Sequence, residues 1–262
     1  MRQTDTSSLL EQLLHIARQA GDAIMAVYST GKADVQQKAD LSPVTAADLA
    51  AHHVLVQQLG PLIAGCPIVS EEDDASQQYR CSQGRIWLID PLDGTKEFIA
   101  RNGEFTVNIA LIEEGRSVLG VVYAPAINTL YWGGPDLGAF RSMDAETVAI
   151  HVAGNANDGN CRVVASKSHL NAETQAFIDR LGKLSLVQAG SSLKFCRVAE
   201  GAADIYPRLA PTCEWDTAAA QAVLEGAGGV VLDLSGKPLR YGKLNVLNPS
   251  FIAARDATLI PA

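Results

Sequence analysis

The segment from Ile86 to Thr95 carries two carboxylates three residues apart at the end of an apolar run, in the order Ile-Trp-Leu-Ile-Asp-Pro-Leu-Asp-Gly-Thr. The run predicts a buried strand, and Pro91 and Gly94 predict a tight turn directly after it. Side chains three apart on such a turn can converge, so Asp90 and Asp93 would repel each other unless a cation lay between them. Oxygen ligands of this kind suit Mg²⁺. The segment therefore predicts a magnesium site; the alternative is an ordinary surface β-turn, in which Asp, Pro and Gly are common.

Three further acids have both a chemical and a structural interpretation. Glu71 follows another predicted strand, where an acidic pair is often a solvated turn. Asp216 opens a predicted helix, where it could be an N-cap, and Asp48 forms a capping box with Thr45. Each acid alone is explained by local structure, but together with the acidic turn they favour a metal centre.

The acidic turn also excludes one covalent mechanism. Its spacing resembles the DxDGT signature of haloacid dehalogenase phosphatases, which use an aspartate nucleophile, but that signature requires Asp where this chain has Pro91. No Ser–His or Cys–His pair stands out, and the histidines are scattered. We therefore expect no covalent intermediate.

Composition limits the partners and the location. The chain has 262 residues, 47% of them hydrophobic, and a formal net charge of −8, which fits a globular protein with a sizeable core. The charge argues against a nucleic-acid polymer, and a small anionic substrate would need metal ions or a local basic cluster. Five cysteines without zinc spacing indicate reduced thiols in the cytoplasm. Neither a signal peptide nor a transmembrane segment is predicted; peripheral association with the inner face of the cell membrane is left open.

Apolar periodicity divides the chain into two halves. It predicts helices over 8–28, with Ser8 and Glu11 as a capping box, and over 45–59. Short β-rich runs follow, with a hairpin turn at 114–116. Residues 1–150 are therefore predicted as an α+β half with an antiparallel sheet and the metal-binding turn, and 151–160 as the linker. Strands and helices alternate over 160–262, which predicts an α/β half.

Three segments together are similar to the inositol monophosphatase superfamily of magnesium-dependent, lithium-sensitive phosphatases. They are VSEE (69–72), WLIDPLDGTKEF (87–98) and EWDTAAAQAVLEGAGG (214–229). The resemblance implies a layered αβαβα sandwich with two or more Mg²⁺ ions between its halves. It also implies a set of metal ligands from both halves: Glu71, Asp90, the Leu92 carbonyl, Asp93 and Asp216.

Within the superfamily, the segments 96–113 and 191–194 most resemble the 3′(2′),5′-bisphosphate nucleotidase (CysQ) group, which converts adenosine 3′,5′-bisphosphate to AMP and phosphate. This similarity implies that Ser191, Lys194 and Arg208 contact the second phosphate. Lys194 could instead be a solvated helix residue, and Arg208 could cap a strand end. Inositol monophosphatase or broader sugar-phosphate phosphatase activity is the alternative of the same class. A non-catalytic metal- or nucleotide-binding module is the alternative of a different class.

The predicted chemistry is in-line attack by a metal-activated water. Glu71 and Thr95 would orient this water, and Asp48 would help to take its proton. The backbone N–H groups of Gly94 and Thr95 would face the phosphate if a helix begins there. The substrate site is predicted to draw on both halves of the chain: Glu71, Leu92, Asp93, Gly94, Thr95, Ser191, Lys194, Arg208 and Asp216.

Overall fold

The computed structural model describes residues 3–31, 35–37, 43–81, 84–144, 146–154, 160–165 and 171–260. Six α-helices lie in this part of the chain: α1 (Gln3–Ser29), α2 (Ala46–Leu59), α3 (Thr95–Ile99), α4 (Ala172–Asp179), α5 (Leu193–Ala199) and α6 (Ala218–Gly226). Two short strands between the first two helices pair with each other, β1 (Gln36–Gln37) and β2 (Pro43–Val44). Residues 38–42 between these two strands and the linker residues 155–159 lie outside the described residues.

Seven strands form the first sheet, in chain order from edge to edge. They are β3 (Ile68–Ser70), β4 (Arg85–Asp93), β5 (Thr106–Glu113), β6 (Arg116–Ala124), β7 (Thr129–Gly134), β8 (Gly138–Met143) and β9 (Glu146–Ala149). The prediction of a purely antiparallel sheet is wrong at one edge, because β3 runs parallel to β4. A parallel pair needs a crossover connection rather than a hairpin, and the segment 71–84 supplies one.

Five strands form the second sheet, in the order β11-β10-β12-β14-β13. They are β10 (Cys161–Ala165), β11 (Leu184–Gln188), β12 (Ile205–Arg208), β13 (Val230–Asp233) and β14 (Phe251–Ala254). The strands β10, β11 and β12 are parallel, as expected from alternating strands and helices. The strand β14 pairs antiparallel with β12 and β13.

Three apolar cores hold five layers together. One core lies between the first sheet and the helices α1 and α2. The second lies between the two sheets and contains α5 and α6, and the third lies between the second sheet and α4. This arrangement confirms the predicted αβαβα sandwich. Because both sheets share the middle core, the division into halves 1–150 and 160–262 stays a prediction.

Local signals at element ends were partly right. The helix α1 begins at Gln3, so the predicted capping box at Ser8 is wrong; no Gly or Pro interrupts the chain before Ser8. The helix α2 has its predicted box, in which Thr45 Oγ1 accepts from Ala47 N at 3.1 Å and Asp48 Oδ2 accepts from Thr45 N at 2.8 Å. The segment 114–116 is confirmed as the hairpin turn between β5 and β6.

Candidate metal centre and adjoining cavity

A β-bulge in β4 brings the two aspartates of the acidic segment to one face of the sheet. Asp90 lies opposite Asn108 on β5, whereas Asp93 lies opposite Thr106. Between these two pairs β4 advances by three residues and β5 by two, so β4 contains one extra residue. In a regular strand, side chains three apart point to opposite faces, and one extra residue restores them to the same face. The predicted tight turn at Pro91 is therefore wrong, since β4 continues through Asp93.

Three carboxylates meet at this face. Oxygen atoms of Glu71, Asp90 and Asp216 all lie within 4.8 Å of one another. Glu71 comes directly after β3, the parallel neighbour of β4, so both acids lie at the same end of the sheet. Asp216 ends a 3₁₀ turn just before α6, and its Oδ2 accepts a hydrogen bond from Cys213 N at 2.8 Å. The structure thus brings together three of the acids named in the sequence analysis, two from the first half of the chain and one from the second.

The electrostatics of these carboxylates suit a cation. Burial raises the pKa of Asp90 well above its usual value, and the charges of Glu71 and Asp93 raise it further. Burial and the same two neighbours also raise the pKa of Asp216. Among the described residues, neither Asp90 nor Asp216 forms an ion pair. Two buried carboxylates that form no ion pair with a described residue, in a group of three converging oxygen donors, fit a hard divalent cation.

Asp93 lies beside this group and is held by hydrogen bonds from a distant segment. Its Oδ2 accepts from Ser192 N and Ser192 Oγ, each at 2.7 Å. Asn108 Nδ2 donates to Ser192 Oγ at 2.8 Å and lies 3.4 Å from the same Asp93 oxygen. Ser192 Oγ is also 2.9 Å from the backbone oxygen of Asp216. The sequence analysis missed Ser192 and Asn108, since nothing in the sequence relates residues 84 positions apart.

Asp48 does more than cap α2. Its Oδ2 accepts from Thr45, while its Oδ1 accepts from Thr95 Oγ1 at 3.1 Å. Thr95 is the first residue of α3, and Gly94 before it has φ of 93°. Burial raises the pKa of Asp48. The carboxylate is therefore a stronger base than an exposed aspartate, and it is joined to Thr95 by a hydrogen bond.

A cavity of about 80 Å³ adjoins the carboxylates. Asp93 and Asp216 border it on the acidic side, and Ser191, Lys194 and Arg208 also line it. The cavity thus brings together the predicted second-phosphate residues and two predicted metal ligands. Further lining residues were not predicted from the sequence: Phe195, Tyr206, Thr212, Thr217 and Phe251.

The two cations of this cavity lack carboxylate partners in the described part of the chain. Lys194 is 8% exposed, so it is not a solvated helix residue, and burial lowers its pKa. Its Nζ lies 5.5 Å from the centre of the Tyr206 ring. Arg208 Nη2 donates to Pro211 O at 3.2 Å, and the buried Arg208 Nε has no hydrogen-bond partner. Both side chains therefore retain donors that a bound anion could use.

The metal-binding and substrate-binding roles of these residues stay predictions. The same holds for the Leu92 carbonyl as a metal ligand and for the N–H groups of Gly94 and Thr95 as phosphate donors. Across the described residues, every helix is too short or too polar to span a bilayer.

Sequence comparisons relate the chain to known phosphatases. The profile of the inositol monophosphatase family matches residues 5–261. The 3′(2′),5′-bisphosphate nucleotidase CysQ of Escherichia coli K12 is 49% identical over 246 residues, which cover 93% of this chain and 98% of that protein. The nucleotidase of the same name from Haemophilus influenzae is 35% identical, over 95% of this chain and 93% of that one.

Solved structures show the same architecture. The crystal structure of CysQ from Bacteroides thetaiotaomicron, a bacterial member of the inositol monophosphatase family, has a TM-score of 0.83 and 40% identity, over 95% of this chain and 97% of that one. The Thermotoga maritima IMPase has a TM-score of 0.75 and 26% identity, over 94% and 91% of the two chains.

Proposed function

Since this chain belongs to the inositol monophosphatase family, we propose that it is a magnesium-dependent phosphatase that converts adenosine 3′,5′-bisphosphate to AMP and phosphate. One observation carries the proposal: a group of three carboxylates adjoins a cavity lined by two cations that form no ion pair with a described carboxylate. A substrate with two phosphates matches both parts. The carboxylates with their metals would take the phosphate to be hydrolysed, and the cavity would take the other.

The second phosphate would be bound by Ser191, Lys194 and Arg208. A guanidinium and an ammonium are strong donors to phosphate oxygens. Because Lys194 is buried and uncompensated, an anion beside it would relieve the cost of its burial. A substrate with a single phosphate would leave these donors unused.

The metal site would be formed by Glu71, Asp90, the Leu92 carbonyl, Asp93 and Asp216, with two or more Mg²⁺ ions. Bound Mg²⁺ supplies positive charge that polarises a phosphoryl oxygen and lowers the pKa of water. Ser192 and Asn108 fix the side chain of Asp93, and the bulge in β4 fixes its face. These contacts would hold Asp93 beside the group of Glu71, Asp90 and Asp216.

The residues of the chain itself would move the proton of the attacking water. Thr95 Oγ1 donates to Asp48 Oδ1, so its oxygen lone pairs remain to accept a proton from a water oriented by Glu71. As the water oxygen attacks phosphorus, its proton passes to Thr95, and the Thr95 proton passes to Asp48. Burial makes Asp48 basic enough for this role. The leaving ribose oxygen takes its proton from solvent.

Two alternatives and the location are also open to test. Inositol monophosphatase or broader sugar-phosphate phosphatase activity would use the same carboxylates but would give the basic cavity no partner. A non-catalytic binding module would show no turnover with Mg²⁺. We also propose a cytoplasmic location, on the basis of the cysteine pattern.

The test is phosphate release from four substrates with Mg²⁺: adenosine 3′,5′-bisphosphate, adenosine 3′-phosphate, inositol 1-phosphate and fructose 1,6-bisphosphate. We expect the adenosine bisphosphate to have the highest kcat/KM. Lys194→Met, which keeps the buried stem, and Arg208→Ala should each lower its kcat/KM about ten- to a hundredfold, as expected for a charge-assisted contact. Adenosine 3′-phosphate should be less affected, because it has no second phosphate.

Arg85→Ala is the matched control, since Arg85 forms an exposed ion pair with Glu113 away from the site. A preference for inositol 1-phosphate would replace the nucleotidase assignment. Equal losses on adenosine 3′,5′-bisphosphate and adenosine 3′-phosphate would remove Lys194 and Arg208 from the specificity site.

A further inference from the structure

Four tyrosines are buried, and the hydroxyls of three of them are hydrogen-bonded within the protein. The Tyr123 hydroxyl pairs with Asn128 Oδ1 at 3.2 Å. The Tyr131 hydroxyl donates to Glu200 at 3.0 Å, and the Tyr241 hydroxyl donates to Gln221 at 2.5 Å. The fourth is Tyr206, which is 4% exposed. Among the described residues, no group forms a hydrogen bond with its hydroxyl.

The Tyr206 ring is fixed by neighbouring aromatic rings at the cavity. Phe195 packs edge-on at 5.2 Å between ring centres, and Phe251 packs edge-on at 5.9 Å. Lys194 Nζ lies over the ring face. Tyr206 lines the 80 Å³ cavity. Its hydroxyl has no partner among the described residues, yet it is not cut off from solvent. The hydroxyl therefore has access to the cavity while the ring is held rigidly.

The hydroxyl opens onto the cavity, so water can solvate it when no ligand is bound, and no described protein group accepts its hydrogen bond. A phenylalanine at this position would make the same ring contacts, so packing of the ring does not require the hydroxyl. The hydroxyl is therefore best explained by a group that binds in the cavity. Burial raises the pKa of Tyr206, so the oxygen keeps its proton and acts as a donor.

We propose that Tyr206 is a specificity-determining residue, which donates a hydrogen bond to the second phosphate of the substrate, the one that is not hydrolysed. This inference rests on the proposed nucleotidase function. Tyr206 and Arg208 are two apart on β12, so their side chains leave the same face of the strand. With Lys194 they would offer an ammonium, a guanidinium and a phenol hydroxyl to one phosphate group.

The test is Tyr206→Phe, assayed with adenosine 3′,5′-bisphosphate and adenosine 3′-phosphate. The two substrates differ only in the phosphate that Tyr206 would bind. We expect the ratio of their kcat/KM values to fall about ten- to a hundredfold, as expected for a hydrogen bond to a charged group. The loss should appear mainly as a higher KM for the bisphosphate, since the contact does not change during the reaction.

Thermal unfolding without ligand gives a second readout. Tyr206→Phe should leave Tm unchanged or raise it, because no internal hydrogen bond is lost. The matched control is Tyr131→Phe, which loses the hydrogen bond to Glu200 outside the site; its Tm should fall by about 2–4 °C, with no change in the substrate ratio.

The outcomes separate this inference from the proposed function. If the wild-type protein does not prefer the bisphosphate, the proposed function fails, and the inference that rests on it fails as well. If it does and the ratio is unchanged in Tyr206→Phe, only the inference is overturned. A fall in Tm as large as that of Tyr131→Phe would also overturn it, because the hydroxyl would then have a partner within the protein.

Discussion

Replacing Asp90 by Asn should have opposite effects on the activity of the protein and on its stability without metal. Asp90 is 1% exposed, and its Oδ1 accepts a hydrogen bond from Leu92 N at 3.0 Å. An asparagine oxygen can accept the same bond, so the substitution removes one charge and little else. We expect it to abolish activity and, without metal, to stabilise the protein.

The magnitude follows from the geometry of the group. The carboxylate oxygens lie within 4.8 Å of one another, and at that outer distance two unit charges repel by about 3.5 kcal/mol at an effective dielectric constant of about 20. Asp90 has two such neighbours, Glu71 and Asp216, but the group can bind a proton and so relieve part of the repulsion. We therefore expect Asp90→Asn to raise the free energy of unfolding by about 1–3 kcal/mol, or Tm by about 2–10 °C.

The raised pKa of Asp90 also predicts how the stability of the metal-free protein depends on pH. The pKa of Asp90 is raised in the folded state above its usual 3.8. Above that pH the folded state binds more protons than the unfolded state, so stability falls as pH rises through the raised pKa. Metal-free wild-type protein should lose stability over this range, and Asp90→Asn should lose less.

Asp204→Asn is the matched control, since Asp204 is equally buried but lies between Arg162, at 2.8 Å, and Arg255, at 3.3 Å. Removing that charge should destabilise the protein by about 1.5–3 kcal/mol, because it weakens the charge-assisted hydrogen bonds that Asp204 accepts from Arg162. The assay is thermal unfolding with EDTA and with Mg²⁺. Mg²⁺ should raise the Tm of the wild type and of Asp204→Asn. It should raise the Tm of Asp90→Asn much less. If Asp90→Asn destabilised the metal-free protein as much as Asp204→Asn does, the repulsive metal site would be refuted.

Two further predictions concern the metal centre. Ser192→Ala should raise the Mg²⁺ concentration for half-maximal activity about ten- to a hundredfold, because Asp93 loses its hydroxyl donor. The control is Ser117→Ala, which loses a buried hydrogen bond from its hydroxyl to Ala218 O. Equal shifts in both variants would contradict the role of Ser192. Li⁺ should inhibit phosphate release far more than Na⁺ or K⁺ at equal ionic strength, since it is close to Mg²⁺ in size but carries half the charge; superimposed titrations of the three chlorides would indicate screening alone.

The sequence predicted the features that depend on local pattern. Apolar spacing located α1, α2 and most strands, because periodic burial of one face is encoded within each element. The capping box at Thr45 and the hairpin turn at 114–116 are likewise short-range signals. Motif order then predicted the layered sandwich, which local patterns alone could not specify.

The sequence by itself determined which side chains have the chemistry for a metal site, because acidic residues after apolar strands are visible in the chain. Only the tertiary structure decided how they meet. The bulge that places Asp90 and Asp93 on one face depends on pairing with β5. The bonds from Ser192 to Asp93 and the position of the Tyr206 hydroxyl at the cavity depend on packing between the two sheets. Such contacts join residues far apart in the chain, and their energies depend on burial and geometry that no local pattern records.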